Sequence, residues 1–236
     1  SRERLSESRY ARSMSHSSRS EPSRESLLET PAAQRSLGQR IWRRLCRILT
    51  GVFYRRCEVV GLENLPPTGA VILCANHVNA LADAVVAQAA VLRPIHPVAR
   101  SGLFRSPVLR PILSMIQAVP IYRRRADGVA GGDNAASIAR CFTYLSEGRV
   151  LLIFPEGQSH SDPSLRPLKT GAARLALGHG ERTGEAPAIV PVGLTFTNKG
   201  RFRADVLVQI APPIAAESQP ETSHASADSP SSAAAE

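Results

Sequence analysis

Short apolar runs and longer segments of mixed polarity alternate along the centre of the chain. Turn residues introduce the run at 70–73 and follow the run at 150–154, which is apolar throughout, as a central parallel strand is. The segments between such runs place apolar residues three and four positions apart, which is typical of helices packed on a sheet. The pattern therefore predicts an α/β fold with a mixed, mostly parallel sheet flanked by helices.

The individual elements follow from the same two periodicities. The predicted strands lie at 58–61, 70–73, 95–100, 118–122, 150–154, 188–196 and 204–210, and the predicted helices at 80–92, 111–117, 134–147 and 171–177. A glycine-rich loop is expected at 127–133. In the helix at 134–147, the expected core face consists of Ile138, Cys141, Phe142 and Leu145.

A basic amphipathic helix is predicted at 37–56, ahead of the first strand. Its apolar face consists of Ile41, Trp42, Leu45, Ile48, Leu49, Val52 and Phe53, and arginines flank that face. Such a helix suits the interface of an anionic membrane, but it can equally pack its apolar face on the core and leave the arginines in water. No uncharged apolar run reaches the roughly 18 residues of a membrane span, so we expect the chain to lie on a membrane without crossing it.

The two ends of the chain differ in composition from its centre. Residues 1–36 are rich in Ser, Arg and Glu, and residues 214–236 are rich in Ser, Ala and Pro. Both segments are predicted to be disordered tails, which leaves 37–213 as one domain. The glutamates of the first tail argue against an organelle transit peptide, and the tail has no apolar core of a secretory signal.

The charge of the chain indicates which kinds of molecule it is expected to bind. The 236 residues carry a formal net charge of +9, which favours anionic partners such as phosphate-bearing substrates or acidic lipid. Nucleic acid is not expected, because Tyr10 is the only aromatic residue of the Arg- and Ser-rich tail. The four cysteines have no metal-ligand spacing, so we expect reduced thiols in a cytosol-facing protein and no metal site.

A histidine and an aspartate lie where the strand at 70–73 gives way to the following helix. His77 and Asp83 are six positions apart, so they meet only if 78–80 form a turn, which Asn79 would end as the N-cap of the helix. An imidazole oriented by a carboxylate is a suitable general base for an alcohol. The alternative is a histidine in a loop and an aspartate that complements the helix dipole.

Further polar residues follow other predicted strands. Glu156 and Gly157 come directly after the most apolar strand, Arg123 follows the strand at 118–122, and Lys169 precedes the helix at 171–177. Because ligands gather at the carboxyl ends of parallel strands, these residues are expected near His77. One imidazole, carboxylates and several cations at one sheet edge describe a site for a phosphate-bearing alcohol. Each cation by itself can equally be a solvated surface charge.

Four short motifs follow one another along the chain: Asn76-His77 with Asp83, then Val119-Pro120-Ile121-Tyr122-Arg123, then Phe154-Pro155-Glu156-Gly157, then Val190-Pro191-Val192-Gly193. Together they resemble the motifs of the glycerolipid acyltransferases, the family of glycerol-3-phosphate and 1-acylglycerol-3-phosphate acyltransferases. Each motif alone is weak, but four in this order are specific. The resemblance covers about residues 38–213.

The resemblance implies a function and a role for each matching residue. His77 would remove the proton of an acceptor hydroxyl with Asp83 orienting it, and the oxygen would attack an acyl thioester on coenzyme A or acyl carrier protein. Arg123, Glu156 and Gly157 would bind the glycerol phosphate acceptor. No cofactor or metal is implied. The enzyme would work in phospholipid biosynthesis, yield phosphatidic acid from 1-acylglycerol-3-phosphate, and be peripheral on the cytoplasmic face of a membrane.

The chain departs from the family pattern in two places. Five residues separate His77 from Asp83, where four are usual, which we interpret as a mark of a subgroup. Gln158-Ser159-His160 stands where many members have Thr-Arg, and we hypothesise that Arg166 or Lys169 supplies the missing cation. Two alternatives remain open, namely transfer to another lysolipid or alcohol, and a non-catalytic module that binds anionic lipid. The sequence leaves the acceptor, the acyl-chain length and the oligomeric state open.

Overall fold

The computed structural model describes residues 37–122, 132–162 and 164–214, so the tail at 1–36, most of the loop at 127–133 and the tail at 215–236 lie outside the described residues. The helices are α1 (Leu37–Phe53), α2 (Leu81–Ala90), α3 (Leu109–Met115), α4 (Gly132–Ser146) and α5 (Gly171–Thr183), with short 3-10 turns at Leu62–Asn64 and Ser101–Arg105. The strands are β1 (Arg56–Val60), β2 (Val71–Ala75), β3 (Ile95–Arg100), β4 (Val119–Ile121), β5 (Val150–Ile153), β6 (Ala188–Phe196) and β7 (Asp205–Ile210).

The seven strands form one mixed sheet in the order β1-β7-β6-β2-β5-β3-β4. Strands β2 to β6 run parallel to one another, and β7 pairs antiparallel with β6. Strand β1 is parallel to β7, so this edge pair runs against the other strands. Because β2, β4 and β5 point the same way, the residues that follow them lie at the same edge of the sheet. That edge carries the candidate site.

The core lies on both faces of the sheet, as the two-residue period of a strand requires. In β2, Val71, Leu73 and Ala75 pack on the face that α2 covers, whereas Ile72 packs on the face that α4 and α5 cover. Strand β5 divides its apolar residues in the same way. Two covered faces explain why both strands are apolar at nearly every position.

The structure corrects several details of the predicted elements. Helix α2 begins at Leu81, directly after the expected turn at 78–80, and ends at Ala90, before its predicted end, whereas α5 continues past its predicted end to Thr183. Ile138 is 40% exposed, and the buried face of α4 carries Ser137 and Tyr144 beside Cys141 and Leu145. Ile214 is the last described residue, and its amide donates to the carbonyl of Ile189 over 2.7 Å.

Helix α1 turns its apolar face away from the core. Its buried residues are Gln39, Cys46 and Thr50, whereas Leu37, Ile41, Leu45, Ile48, Leu49, Val52 and Phe53 are all exposed by 38% or more. Trp42 is the exception on the expected apolar face, because it is partly buried against the cluster of Leu113, Ile116 and Ala118. Packing of the whole apolar face on the core is therefore wrong for the described residues. Within the described part of the chain, no helix has both the length and the apolarity needed to span a bilayer.

Candidate active site

The turn after β2 brings His77 and Asp83 together. His77 Nδ1 and Asp83 Oδ2 are 2.9 Å apart, a hydrogen-bond distance, even though the two residues are six positions apart in the chain. The Asp83 side chain is fully buried, and about a fifth of the His77 side chain remains exposed. Because Nδ1 faces Asp83, Nε2 is the ring nitrogen that can take a proton from a hydroxyl.

The backbone of the turn holds the carboxylate in place. The Asn79 amide donates to Asp83 Oδ2 over 2.7 Å, so this oxygen accepts hydrogen bonds from both the amide and the imidazole. Helix α2 has Ala80 as its N-cap, with φ 47° and no side-chain capping bond. The expectation that Asn79 is the N-cap was wrong, because its side chain instead donates to the carbonyl of Lys199 over 3.2 Å.

The ring of His77 is also supported from the third motif. It stacks on Phe154, with ring centroids 4.1 Å apart and an interplanar angle of 19°. Phe154 follows β5, the neighbour of β2, so the sheet register itself sets this contact. The imidazole is thereby fixed on one edge by Asp83 and on one face by Phe154.

Glu156 is buried, and both of its oxygens are engaged. Oε1 accepts from the His77 amide over 2.8 Å, and Oε2 pairs with His160 Nε2 and accepts from the Arg166 amide. Burial by itself would raise the pKa of Glu156, but these hydrogen bonds outweigh it and lower the pKa below its usual value. Glu156 is therefore an ionised anchor for the backbone of the turn that carries His77. Its predicted contact with an acceptor stays a prediction.

Gly157 and Lys169 lie against each other. Gly157 has φ 74°, and a Cβ added there would lie 2.4 Å from Lys169 Nζ. The Lys169 amide donates to the Pro155 carbonyl over 2.8 Å, which joins the residues just before α5 to the third motif. Arg166, the other cation considered, is paired with Asp162 over 2.8 Å. No described carboxylate pairs with Lys169, so Lys169 fits an incoming phosphate better.

Arg123 lies outside the described residues, so its side chain is not placed. Strand β4, which it follows, pairs parallel with β3 at the far edge of the sheet, and its carboxyl end points to the same side as that of β2. The role expected for Arg123 stays a prediction. So does the absence of a metal, although the described residues contain no group of three His, Cys, Asp or Glu side chains arranged to hold one.

Two residues of the site were not given a role from sequence. Asn76 forms a pair of hydrogen bonds with the backbone of Leu194, 2.7 and 2.9 Å long, which fastens the catalytic turn to β6. His160 pairs with Glu156, and its amide donates to the His77 carbonyl over 3.0 Å. The only available signal for His160 was its position four residues after Glu156.

The match to a family model identifies the class of protein to which this fold belongs. Residues 56–195 match the model described as Acyltransferase, and because this match spans more than half of the chain, the chain belongs to that family. The resemblance inferred from the four motifs is confirmed.

The similar proteins are named as acyltransferases of glycerol-3-phosphate or of its 1-acyl derivative. Glycerol-3-phosphate O-acyltransferase 2 of Saccharomyces cerevisiae is 37% identical over 84 residues, which are 35% of this chain and 11% of the yeast protein. The 1-acyl-sn-glycerol-3-phosphate acyltransferase of Borreliella burgdorferi is 29% identical over 140 residues, which are 59% of this chain and 51% of that protein. The chain thus spans about a tenth to a half of these relatives.

The fold is also similar to a solved structure. The crystal structure of the 1-acyl-sn-glycerophosphate acyltransferase PlsC from Thermotoga maritima matches with a TM-score of 0.56 and 20% identity. The match covers 75% of this chain and 68% of that one. This likeness confirms the predicted α/β fold with a mixed, mostly parallel sheet.

Proposed function

We propose that this protein transfers a fatty acyl group from an acyl thioester to a hydroxyl of 1-acylglycerol-3-phosphate or glycerol-3-phosphate. The observation that carries the proposal is the contact of 2.9 Å between His77 Nδ1 and the buried Asp83. It supports a ring orientation in which Nδ1 faces Asp83 and Nε2 can accept the proton of the acceptor hydroxyl, while the Asp83 carboxylate stabilises the imidazolium that forms. The oxygen attacks the thioester carbonyl, the thiolate leaves, and His77 returns the proton to it, which gives the free thiol.

The proposed acceptor carries a phosphate, and the position of Lys169 supports this. Lys169 lies against Gly157. Gly157 directly follows Glu156, which accepts a hydrogen bond from the His77 amide. Arg123 is the second proposed phosphate ligand, because guanidinium groups grip phosphate oxygens bidentately. Coenzyme A or acyl carrier protein is the proposed donor carrier, and no cofactor or metal takes part in the proposed mechanism.

The proposed place of work is the cytoplasmic face of a membrane, to which the protein binds peripherally. The exposed apolar face of α1 supports this, since arginines flank seven exposed apolar residues on one helix. Apolar residues that enter the headgroup region and cations that meet anionic lipid are the features of an interfacial helix.

The test is thiol release from oleoyl-coenzyme A with purified protein on anionic vesicles. The acceptor is glycerol-3-phosphate, 1-acylglycerol-3-phosphate or none, and His77→Ala is measured beside the parent chain. We expect release that depends on one acceptor and falls about 10³-fold or more in the variant. Circular dichroism and the melting temperature show whether the variant is folded.

The other outcomes separate the remaining functions. Release with a different lysolipid or alcohol alone would move the acceptor to that molecule. No release with any acceptor or with acyl carrier protein, combined with intact vesicle binding, would overturn the proposal in favour of a non-catalytic lipid-binding module.

A further inference from the structure

The loop between β6 and β7, residues 197–204, presents one aromatic ring among cations. Phe202 is 58% exposed, and Lys199, Arg201 and Arg203 surround it in sequence, with no acidic residue in the loop. Asp205, the next residue, is paired with Arg55 over 2.5 Å. An exposed phenylalanine flanked in sequence by cations has the composition of a segment that meets an anionic lipid surface.

This loop continues the exposed apolar face of α1. The ring of Phe202 contacts that of Phe53, with centroids 5.8 Å apart and an interplanar angle of 82°. The Arg203 amide donates to the Phe53 carbonyl over 2.7 Å, and the Arg55 amide donates to the Ala204 carbonyl over 2.9 Å. The loop is thus fixed to the carboxyl end of the helix, and the two form one surface.

The same loop is fixed to the catalytic turn. The Asn79 side chain donates to the Lys199 carbonyl over 3.2 Å, and the Asn79 amide donates to Asp83 Oδ2 over 2.7 Å. One residue therefore joins the loop to the carboxylate that orients His77. Nothing in the family assignment or in the function proposed above requires this connection.

We propose that loop 197–204 is a second bilayer contact, in which Phe202 enters the headgroup region and Lys199, Arg201 and Arg203 bind anionic phospholipid. Helix α1 and the loop then fix two points of the molecule on the membrane, and the loop holds the catalytic turn at the surface from which a lipid acceptor arrives. The positive charge of the loop selects an anionic bilayer over a zwitterionic one. The inference uses the proposed membrane location but does not depend on acyl transfer.

A single tryptophan placed in the loop tests the contact directly. Trp42 is the only tryptophan of the chain, so Trp42→Phe gives a background in which Phe202→Trp reports on the loop alone. With vesicles containing phosphatidylglycerol we expect a blue shift of its emission by about 10 nm, as an indole leaves water for the interface, and a smaller shift with phosphatidylcholine alone. The control is Leu177→Trp in the same background, because this exposed residue lies on α5, which packs on the opposite face of the sheet from α1.

Co-sedimentation distinguishes the possible failures. If Phe202→Trp does not shift although the protein sediments with anionic vesicles, α1 alone binds the bilayer and the inference is wrong. If the protein does not sediment at all, both the inference and the proposed location fail, while thiol release with glycerol-3-phosphate still tests the proposed chemistry. Phe202→Ala should weaken vesicle binding about fivefold, and an unchanged affinity would also contradict the inference.

Discussion

His77 and Asp83 show what residue types and spacing can predict. Their chemistry and the need for a turn between them were visible in the sequence, and the structure confirms that they meet. The turn itself was predicted less well. Ala80 takes a positive φ that a non-glycine residue rarely adopts, and its amide donates to Ser159 Oγ over 2.9 Å. A partner nearly eighty residues away cannot be read from local sequence.

Replacement of Lys169 by alanine should raise the KM for the acceptor about tenfold or more with a smaller change in kcat, because a phosphate loses one charge-assisted contact. Gly157→Ala should have a similar effect, since its Cβ would displace Lys169 Nζ. The measurement is the rate of thiol release at varied acceptor concentration.

Gly184→Ala is the matched control for the glycine. Gly184 has φ 80°, close to the 74° of Gly157, but open space where a Cβ would lie. Both variants should lose about 1 kcal/mol of stability from the strained backbone, and only Gly157→Ala should change KM. An unchanged KM in Lys169→Ala would remove this residue from the site.

At the scale of elements, hydrophobic periodicity predicted α1 but could not decide which face it buries. The structure buries Gln39, Cys46 and Thr50, the less apolar side. Periodicity shows only how apolar and polar residues are distributed around a helix. Which face packs on the core depends on the tertiary structure. Helix α4 shows the same limit, since its buried face is rotated from the expected one toward Ser137 and Tyr144.

The segment after β5 should make stability depend on pH. The folded chain holds the pKa of Glu156 below the ordinary value of 4.5, so the unfolded chain takes up this proton at a higher pH. The stabilisation is complete above that value and is lost as the pH falls through the folded pKa. Glu156→Gln cannot titrate, so its melting temperature should fall less than that of the parent between about pH 7 and pH 3.

The control for this prediction is Glu63→Gln, an exposed carboxylate on the 3-10 turn after β1. Its melting curves should follow those of the parent at every pH. If Glu156→Gln also follows the parent, Glu156 does not provide the pH-dependent stability that its hydrogen bonds imply. At neutral pH the variant should be less stable by roughly 1–3 kcal/mol, because an amide cannot accept all three hydrogen bonds equally well.

At the scale of the whole molecule, the sequence predicted the strands and the mostly parallel sheet, but not the order of strands. The pairing of β1 with β7 joins segments about 150 residues apart, and local patterns carry no information about such neighbours. The sheet edge that carries the site could be predicted, because parallel strands align their carboxyl ends.

Arg93 joins distant parts of the fold at the sheet edge opposite the candidate site. It is buried and donates to the carbonyls of Pro66, Thr68, Gly69 and Gly148, and burial lowers its pKa to about 10, so it stays charged at neutral pH. Arg93→Lys should cost about 3 kcal/mol, or roughly 10 °C in melting temperature, since an ammonium cannot reach all four acceptors.

The rate of thiol release per folded molecule should remain unchanged in Arg93→Lys, because Arg93 precedes β3 and lies across the sheet from His77. Arg174→Lys, an exposed arginine on α5, is the control and should leave the melting temperature unaltered. A melting temperature of Arg93→Lys equal to that of the parent would show that these carbonyls do not need the guanidinium.

The strand order has a consequence for the chain during its synthesis. Strand β2 leads directly to His77, yet both of its sheet neighbours, β5 and β6, come much later in the chain. As the ribosome extends the polypeptide, the imidazole exists long before Phe154, Glu156 and the backbone of Leu194 are available to orient it. The turn that carries His77 therefore lacks these supporting contacts until the last third of the domain has been translated.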